Sequence, residues 1–318
     1  MAKRKGPTPR RTVQRPRKAQ PQRRGLSGQL LLGALAFVGL VIAVAAFALT
    51  RSADDGAVGE AGGGDAGPVH VHGLGVDPAD RSLLIATHTG TYRVGPNEKV
   101  GQRIGESRQD TMGFTVAGPH HFLGSGHPDL EEAVEKDLPP QLGLIESRDA
   151  GRTWRTLSLL GEADFHVLRF AGQRVYGYDA SNDRLLVSGD DGRTWREARR
   201  PAPLLDLAVD PTDGSHAVAT GEGGLYETSD EGRTWRRLVL RVGLLAWPSP
   251  ERLYLVDSEG TVWRTADEGK RWTRTGDIAG QPAAFLAQTD EELYAALHDG
   301  TIKQSRDGGG TWTVRSTP

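Results

Sequence analysis

One short motif recurs five times along the chain and constrains its fold more than any other feature. The copies read SRDAGRTW, SGDDGRTW, TSDEGRTW, TADEGKRW and SRDGGGTW, and consecutive copies begin 37 to 41 residues apart. A period of about 40 residues is the length of one four-stranded β-propeller blade. The motif residues predicted to hold the blades together are Asp149, Asp190, Asp230, Asp267 and Asp307, with Trp154, Trp195, Trp235, Trp272 and Trp312.

The segments between the motifs have the pattern of short β-strands. Residues 165–170, 174–179 and 184–188 are three such runs, separated by turns, and a fourth follows the motif at Trp195. Dividing 69–318 by a blade length of about 40 residues predicts an all-β propeller of six four-stranded blades. The first blade, 70–105, lacks the motif, so seven blades remain an alternative if this region is miscounted.

The motif resembles the Asp box of the BNR-repeat family, which includes sialidases, sortilin-type receptors and exported bacterial propellers often labelled glycosyl hydrolases. The resemblance covers 69–318 and implies a propeller in which the boxes are structural. One copy departs from the pattern, because Arg271 stands where Thr is expected. The sialidase pattern also includes Arg-Ile-Pro and three channel-facing arginines. The nearest match, Arg103-Ile104-Gly105, lacks the proline, and no arginine clamp is evident.

The N-terminal region has the features of an export and anchoring segment. Residues 1–25 carry ten Lys or Arg and no acid, although the net charge of the chain is −2. We therefore expect a disordered basic tail over 1–27. The uncharged run Leu30 to Leu49 predicts a transmembrane helix over 28–50. The positive-inside rule then places the N-terminus in the cytoplasm and the propeller outside the cell membrane. A Gly- and Asp-rich linker over 51–68 would join them.

Two alternatives compete with a retained anchor. The sequences Ala43-Val44-Ala45 and Ala46-Phe47-Ala48 resemble signal-peptidase sites, so cleavage of the apolar run is the first alternative. The second is that the basic tail binds nucleic acid, which the adjacent membrane segment makes the weaker explanation of the charge. The chain contains no cysteine, so it has neither disulfides nor thiolate metal ligands.

Histidine and aspartate residues concentrate at one predicted end of the propeller channel. The first strand of a blade begins, and the second strand ends, on the same face, whereas the Asp boxes lie on the opposite face. Convergence of both residue types on one face predicts a ligand-binding site. The residues assigned to it are His70, His72, His88, Asp110, His127, Asp164, His166 and Asp179.

Imidazole and carboxylate groups bind divalent transition metals such as Zn, Mn or Fe, or act as acid and base. The metal ligands predicted here are His72, His88, His127 and His166, with Asp110 and Asp164 as orienting or additional ligands. A simpler interpretation is that these side chains only cap the ends of strands.

Three functions fit the sequence. The first is a binding or assembly scaffold that uses a protein or glycan partner outside the cell. The second is a glycoside hydrolase or lyase of the sialidase-like superfamily, and the third is a metal-dependent enzyme. Fold alone does not decide among them.

Overall fold

The computed structural model describes Pro68 and residues 70–318. The predicted tail over 1–27, the predicted transmembrane helix over 28–50 and nearly all of the predicted linker over 51–68 lie outside these residues. The described residues belong to one compact unit. Within its described part, no helix combines the length and apolar character needed to cross a membrane.

The described chain folds into twenty-four strands and one short helix, α1, which interrupts the second blade. Each blade takes four consecutive strands. The strands are β1 (Val71–Val76), β2 (Leu83–Thr87), β3 (Gly90–Val94), β4 (Gln102–Arg103), β5 (Asp110–Gly118), β6 (His121–His127), β7 (Leu144–Ser147), β8 (Arg155–Ser158), β9 (Phe165–Ala171), β10 (Arg174–Asp179), β11 (Arg184–Ser188), β12 (Arg196–Ala198), β13 (Leu204–Val209), β14 (Ala217–Gly221), β15 (Gly224–Thr228), β16 (Arg236–Val239), β17 (Leu244–Ser249), β18 (Arg252–Val256), β19 (Thr261–Thr265), β20 (Thr273–Asp277), β21 (Pro282–Ala287), β22 (Leu293–Leu297), β23 (Ile302–Ser305) and β24 (Thr313–Ser316), and α1 spans Leu130–Lys136.

The sheets confirm the six-bladed propeller, and the seven-bladed alternative is wrong. Each of the six sheets has four antiparallel strands in sequential order, with the first strand at one edge and the fourth at the other. The first strands of neighbouring blades contact one another around the ring, and β21 of blade six contacts β1 of blade one. The first strands therefore line a central channel, and the first blade forms without an Asp box.

The ring closes between the first and last blades without exchanging a strand. Val100 and Thr317 form an isolated parallel bridge. Arg315 donates hydrogen bonds to the carbonyl oxygens of Gly95 and Glu98, at 2.6 and 2.5 Å. The side chain of Arg315 is buried, so these bonds join the last strand of the chain to the β3–β4 loop of blade one.

The Asp boxes form closed hydrogen-bonded turns. In the copy of blade three, Asp190 Oδ1 accepts hydrogen bonds from the Thr194 amide and the Ser188 hydroxyl, and Oδ2 accepts one from the Thr194 hydroxyl. These bonds lower the pKa of Asp190 to about 2, because they favour the charged carboxylate. Gly192 has a φ of +86°, a conformation that glycine adopts without a Cβ clash.

Arg271 changes one hydrogen-bond donor of its Asp-box turn, but both oxygens of Asp267 still accept bonds. The Arg271 amide still donates to Asp267 Oδ1, at 2.8 Å, and its guanidinium takes the place of the missing hydroxyl at Oδ2, at 3.0 Å.

The box tryptophans pack between blades. Each of the five lies against the apolar cluster shared by its own blade and the preceding blade. Trp195 of blade three, for example, lies against a cluster that contains Leu144 of blade two and Phe165 of blade three. The sixth cluster, between blades six and one, has no tryptophan among its described members and contains Tyr92 and Tyr294.

Candidate ligand-binding site

The channel encloses a cavity of about 390 Å³, lined by the first strands of all six blades. We call the end at which these strands begin the channel mouth. The Asp boxes lie on the opposite face, where the Asp191 and Glu231 amides bond to the β9–β10 and β13–β14 turns. Five residues near the starts of their strands line the cavity together: His72, Met112, His166, Leu205 and Ala283.

The first group at the channel mouth is His72, His88 and Asp110, which we call the blade-one cluster. His88 Nδ1 lies 2.8 Å from Asp110 Oδ2, and His72 Nε2 lies 3.7 Å from Asp110 Oδ1. The His72 and His88 rings meet edge to face with their centroids 4.3 Å apart. One ligand atom from each of the three residues lies within 4.8 Å of the others. The cluster therefore has the composition and spacing of a metal-binding group.

His70 stands beside this cluster. Its ring centroid is 5.3 Å from that of His88, and the side chain is exposed. The backbone of His70 has a φ of +54°, in the left-handed region that few residues other than glycine adopt. The structure thus brings His70 next to His88 but outside the group of three.

The environment shifts the pKa values of the two histidines of the blade-one cluster in opposite directions. Burial, reinforced by the charge of His88, lowers the pKa of His72 to about 4. The hydrogen bond to Asp110 raises the pKa of the half-exposed His88, against the opposing effect of burial. At neutral pH His72 is therefore an uncharged imidazole with a lone pair available.

The second group at the channel mouth is His127, Asp164 and His166. His166 Nε2 lies 3.0 Å and His127 Nε2 lies 3.5 Å from the same carboxylate oxygen, Asp164 Oδ2. Ser181 also donates to that oxygen, at 3.2 Å. His127 Nδ1 is 2.8 Å from the carbonyl oxygen of Pro140, in the segment that follows α1. The histidines contact Asp164 rather than each other.

The four histidines predicted as metal ligands thus fall into two groups, each organised by an aspartate. Asp110 begins β5 and contacts His88, which directly follows β2 of the preceding blade. Asp164 directly precedes β9 and contacts His127, which ends β6 of the preceding blade. A comparison of equivalent positions in different blades does not reveal these pairs, because they join non-equivalent positions of adjacent blades.

Asp179 takes a different role from the other predicted ligand-binding residues. Its side chain is fully buried, and Oδ2 accepts hydrogen bonds from Asn182 at 2.9 Å and Arg184 at 2.7 Å. Its other oxygen accepts bonds from the amides of Asp164 and Asn182. Asp179 therefore holds the start of blade three in place and presents no carboxylate oxygen to a ligand.

Polar atoms without hydrogen bonds mark the channel mouth. In the described part of the chain, seven buried side-chain nitrogen or oxygen atoms have no hydrogen-bond partner. Three of them belong to the two groups above: His72 Nε2, Asp110 Oδ1 and Asp164 Oδ1. Buried polar atoms are normally hydrogen-bonded, so their concentration here needs an explanation.

A further candidate metal group, His216, Glu227 and Glu268, includes a residue of an Asp-box turn. Both ring nitrogens of His216 already face carboxylates, Asp210 at 3.4 Å and Glu227 at 3.2 Å. Glu227 is also ion-paired with Arg236. The charges of this group are compensated by protein side chains.

Arginine is scarce in the channel. Of the described residues that line the cavity, one is an arginine, Arg169, and it donates to Asp206 Oδ1 at 2.5 Å. Asp206 is buried, and its other oxygen accepts the Leu245 amide at 2.8 Å. The described cavity lining therefore does not contain the three channel-facing arginines of the sialidase pattern.

Comparison with known proteins supports the fold and leaves the family open. No family model matches the chain. The dispase autolysis-inducing protein of Streptomyces mobaraensis is 27% identical over 126 residues, which are 39% of this chain and 32% of that protein. The chain thus matches about one third of the length of that relative.

Two solved structures are similar to the chain at low sequence identity. A GH74 enzyme from Niastella koreensis has a TM-score of 0.56 and 13% identity, over 78% of this chain and 45% of that one. YCF48 from Cyanidioschyzon merolae has a TM-score of 0.42 and 16% identity, over 64% of this chain and 84% of that one. The likeness to the GH74 enzyme shows a shared propeller fold.

Proposed function

We propose that this chain is a binding or assembly module whose ligand site is the channel mouth, at blades one to three. The observation that carries the proposal is the set of buried polar atoms without hydrogen bonds, on His72, Asp110 and Asp164. Leaving such an atom unpaired costs about 1–3 kcal/mol. A ligand that bonds to these atoms recovers that free energy on binding.

The hydrogen bonding of side chains on the opposite face supports the channel mouth as the ligand site. There the Asp-box carboxylates accept bonds from their own turns, as Asp190 does. Arginines on that face pair with Glu146, Glu227 and Glu231. Side chains that only capped strand ends would be satisfied in the same way, whereas His72 Nε2, Asp110 Oδ1 and Asp164 Oδ1 have no partner.

The proposed setting is the outside of the cell membrane, with the chain anchored by the helix predicted over 28–50. The support is the uncharged run that follows ten cations in the sequence. In that setting the partner is an extracytoplasmic protein or glycan, and nucleic acid is not a partner.

Site-specific photo-cross-linking in intact cells tests the proposal. A benzophenone amino acid is placed at Leu205, which is 48% exposed at the channel mouth. The matched control position is Arg193, whose side chain is 52% exposed on the Asp-box face. We expect a discrete cross-linked product from position 205 and none from position 193. Cross-links from position 193 alone, or from neither position, would contradict the proposal.

Glycoside hydrolysis is the second candidate. Asp110 and Asp164 are two carboxylates at the channel mouth, each with one unpaired oxygen, and paired carboxylates are the groups that cleave glycosidic bonds. The GH74 neighbour is an enzyme, but at 13% identity it supports the fold alone. Reducing-sugar release from extracellular polysaccharides that is lost in both Asp110→Asn and Asp164→Asn would favour this candidate over a binding module.

A further inference from the structure

The blade-one cluster is the one group at the channel mouth in which three different side chains converge. One ligand atom each from His72, His88 and Asp110 lies within 4.8 Å of the other two. We propose that these three residues bind a divalent transition-metal ion. This inference deepens the proposed function, because it names a ligand class for the same site.

The donor set selects the class of metal. Imidazole nitrogen suits Zn, Cu, Fe and Ni, whereas Mg and Ca are bound by oxygen ligands alone. Two imidazoles with one carboxylate therefore favour a transition metal. Three protein ligands also leave coordination positions for a group from outside the chain, as in zinc sites that bind a substrate or water.

The distances are close to those of a bound site. Metal–ligand bonds of about 2.0–2.2 Å place neighbouring tetrahedral ligand atoms roughly 3.4 Å apart. His72 Nε2 and Asp110 Oδ1 are already 3.7 Å apart. His88 Nδ1 lies 2.8 Å from the other carboxylate oxygen, Asp110 Oδ2.

A further observation agrees with a metal ligand set. His72 Nε2 and Asp110 Oδ1 are both shielded from solvent, and neither has a hydrogen bond to any described residue. A cation between them satisfies both atoms at once.

The other two groups of histidines and carboxylates are less suited to binding a metal ion. In the group of His127, Asp164 and His166, both histidines contact one oxygen, Asp164 Oδ2, which also accepts from Ser181. In the group of His216, Glu227 and Glu268, Arg236 already neutralises Glu227. In the blade-one cluster each of the three residues offers its own ligand atom, and no described Lys or Arg is ion-paired with Asp110.

Titration calorimetry with Zn²⁺ on the purified, metal-stripped full-length chain tests the site. We expect one Zn²⁺ per chain and a loss of affinity of at least about 100-fold in both His88→Ala and Asp110→Asn, since even outer-sphere changes cost 10- to 100-fold. The matched control is His120→Ala. His120 is 53% exposed against 44% for His88, and its Nδ1 lies 2.9 Å from Asp77 Oδ2, but it belongs to the opposite face. The control should bind Zn²⁺ as the unmodified chain does.

The possible outcomes distinguish a failure of the metal site from a failure of the proposed function. No Zn²⁺ binding by the unmodified chain, or equal affinity in all three variants, overturns the metal site. Circular dichroism of each variant shows whether it is folded, and the conservative Asp110→Asn keeps the test valid if His88→Ala does not fold. Cross-linking at position 205 without Zn²⁺ binding would overturn the metal site alone. Zn²⁺ binding without cross-linking would support the metal site and contradict the binding module.

Discussion

Replacing Trp195 by alanine is expected to lower the free energy of unfolding by about 3 kcal/mol, the low end of the range for removing a large aromatic from a core. The low end applies because the ring is half-buried. It packs 5.0 Å from the Phe165 ring, and its Nε1 donates to the Ser158 hydroxyl of the preceding blade at 2.9 Å. For a domain of this size the loss corresponds to a Tm decrease of roughly 6–12 °C, measured by calorimetry.

Trp195→Phe is the matched control, because it keeps an aromatic ring and removes only the N–H donor. We expect it to cost about 1 kcal/mol, the usual net value of one hydrogen bond. Folded Trp195→Ala should keep its Zn²⁺ affinity, because the box residues are structural. If the alanine variant loses no more stability than the phenylalanine variant, packing between blades is not what Trp195 contributes.

Replacing Arg315 by alanine is expected to cost about 3 kcal/mol, because hydrogen bonds from a charged donor contribute about 1.5–3 kcal/mol each. Arg315 is 7% exposed and donates to two backbone oxygens of blade one. The change removes both bonds across the closure of the ring. Chemical denaturation measures the loss, and amide hydrogen exchange should show the first and last blades losing protection before the other four.

Arg306→Ala is the control for Arg315→Ala. It removes the same charge from the same blade, but at an exposed position in the last Asp box. Surface substitutions of this kind change stability by less than about 0.5 kcal/mol. Equal losses in the two variants, or uniform loss of protection around the ring, would show that Arg315 does not hold the closure.

The repeat made most of the fold predictable. An Asp, a Gly and a Trp at fixed offsets specify one hairpin turn, and their period of about 40 residues specifies one blade. The first blade, 70–105, lacks the box and was predicted from the length of chain left over. Its interface with the last blade has no box tryptophan among its described members, so no motif marks it in the sequence.

The site was less predictable because it depends on neighbours across blade boundaries. Alternation along each strand placed His72 and His166 at equivalent positions, and both line the channel cavity. It did not show that Asp110 would meet His88, since those residues are 22 positions apart and hold different places in their blades. Pairing the end of the second strand of each blade with the start of the first strand of the next blade would have predicted this contact. It also gives His127 with Asp164.

We propose that His72, His88 and Asp110 bind a divalent transition metal rather than only cap the ends of strands. Anomalous diffraction at the zinc edge, from crystals of the full-length chain grown with Zn²⁺, tests this metal site most directly. We expect an anomalous peak bonded to His72, His88 and Asp110. No peak at that position, or a peak confined to His216, Glu227 and Glu268, would contradict the metal site.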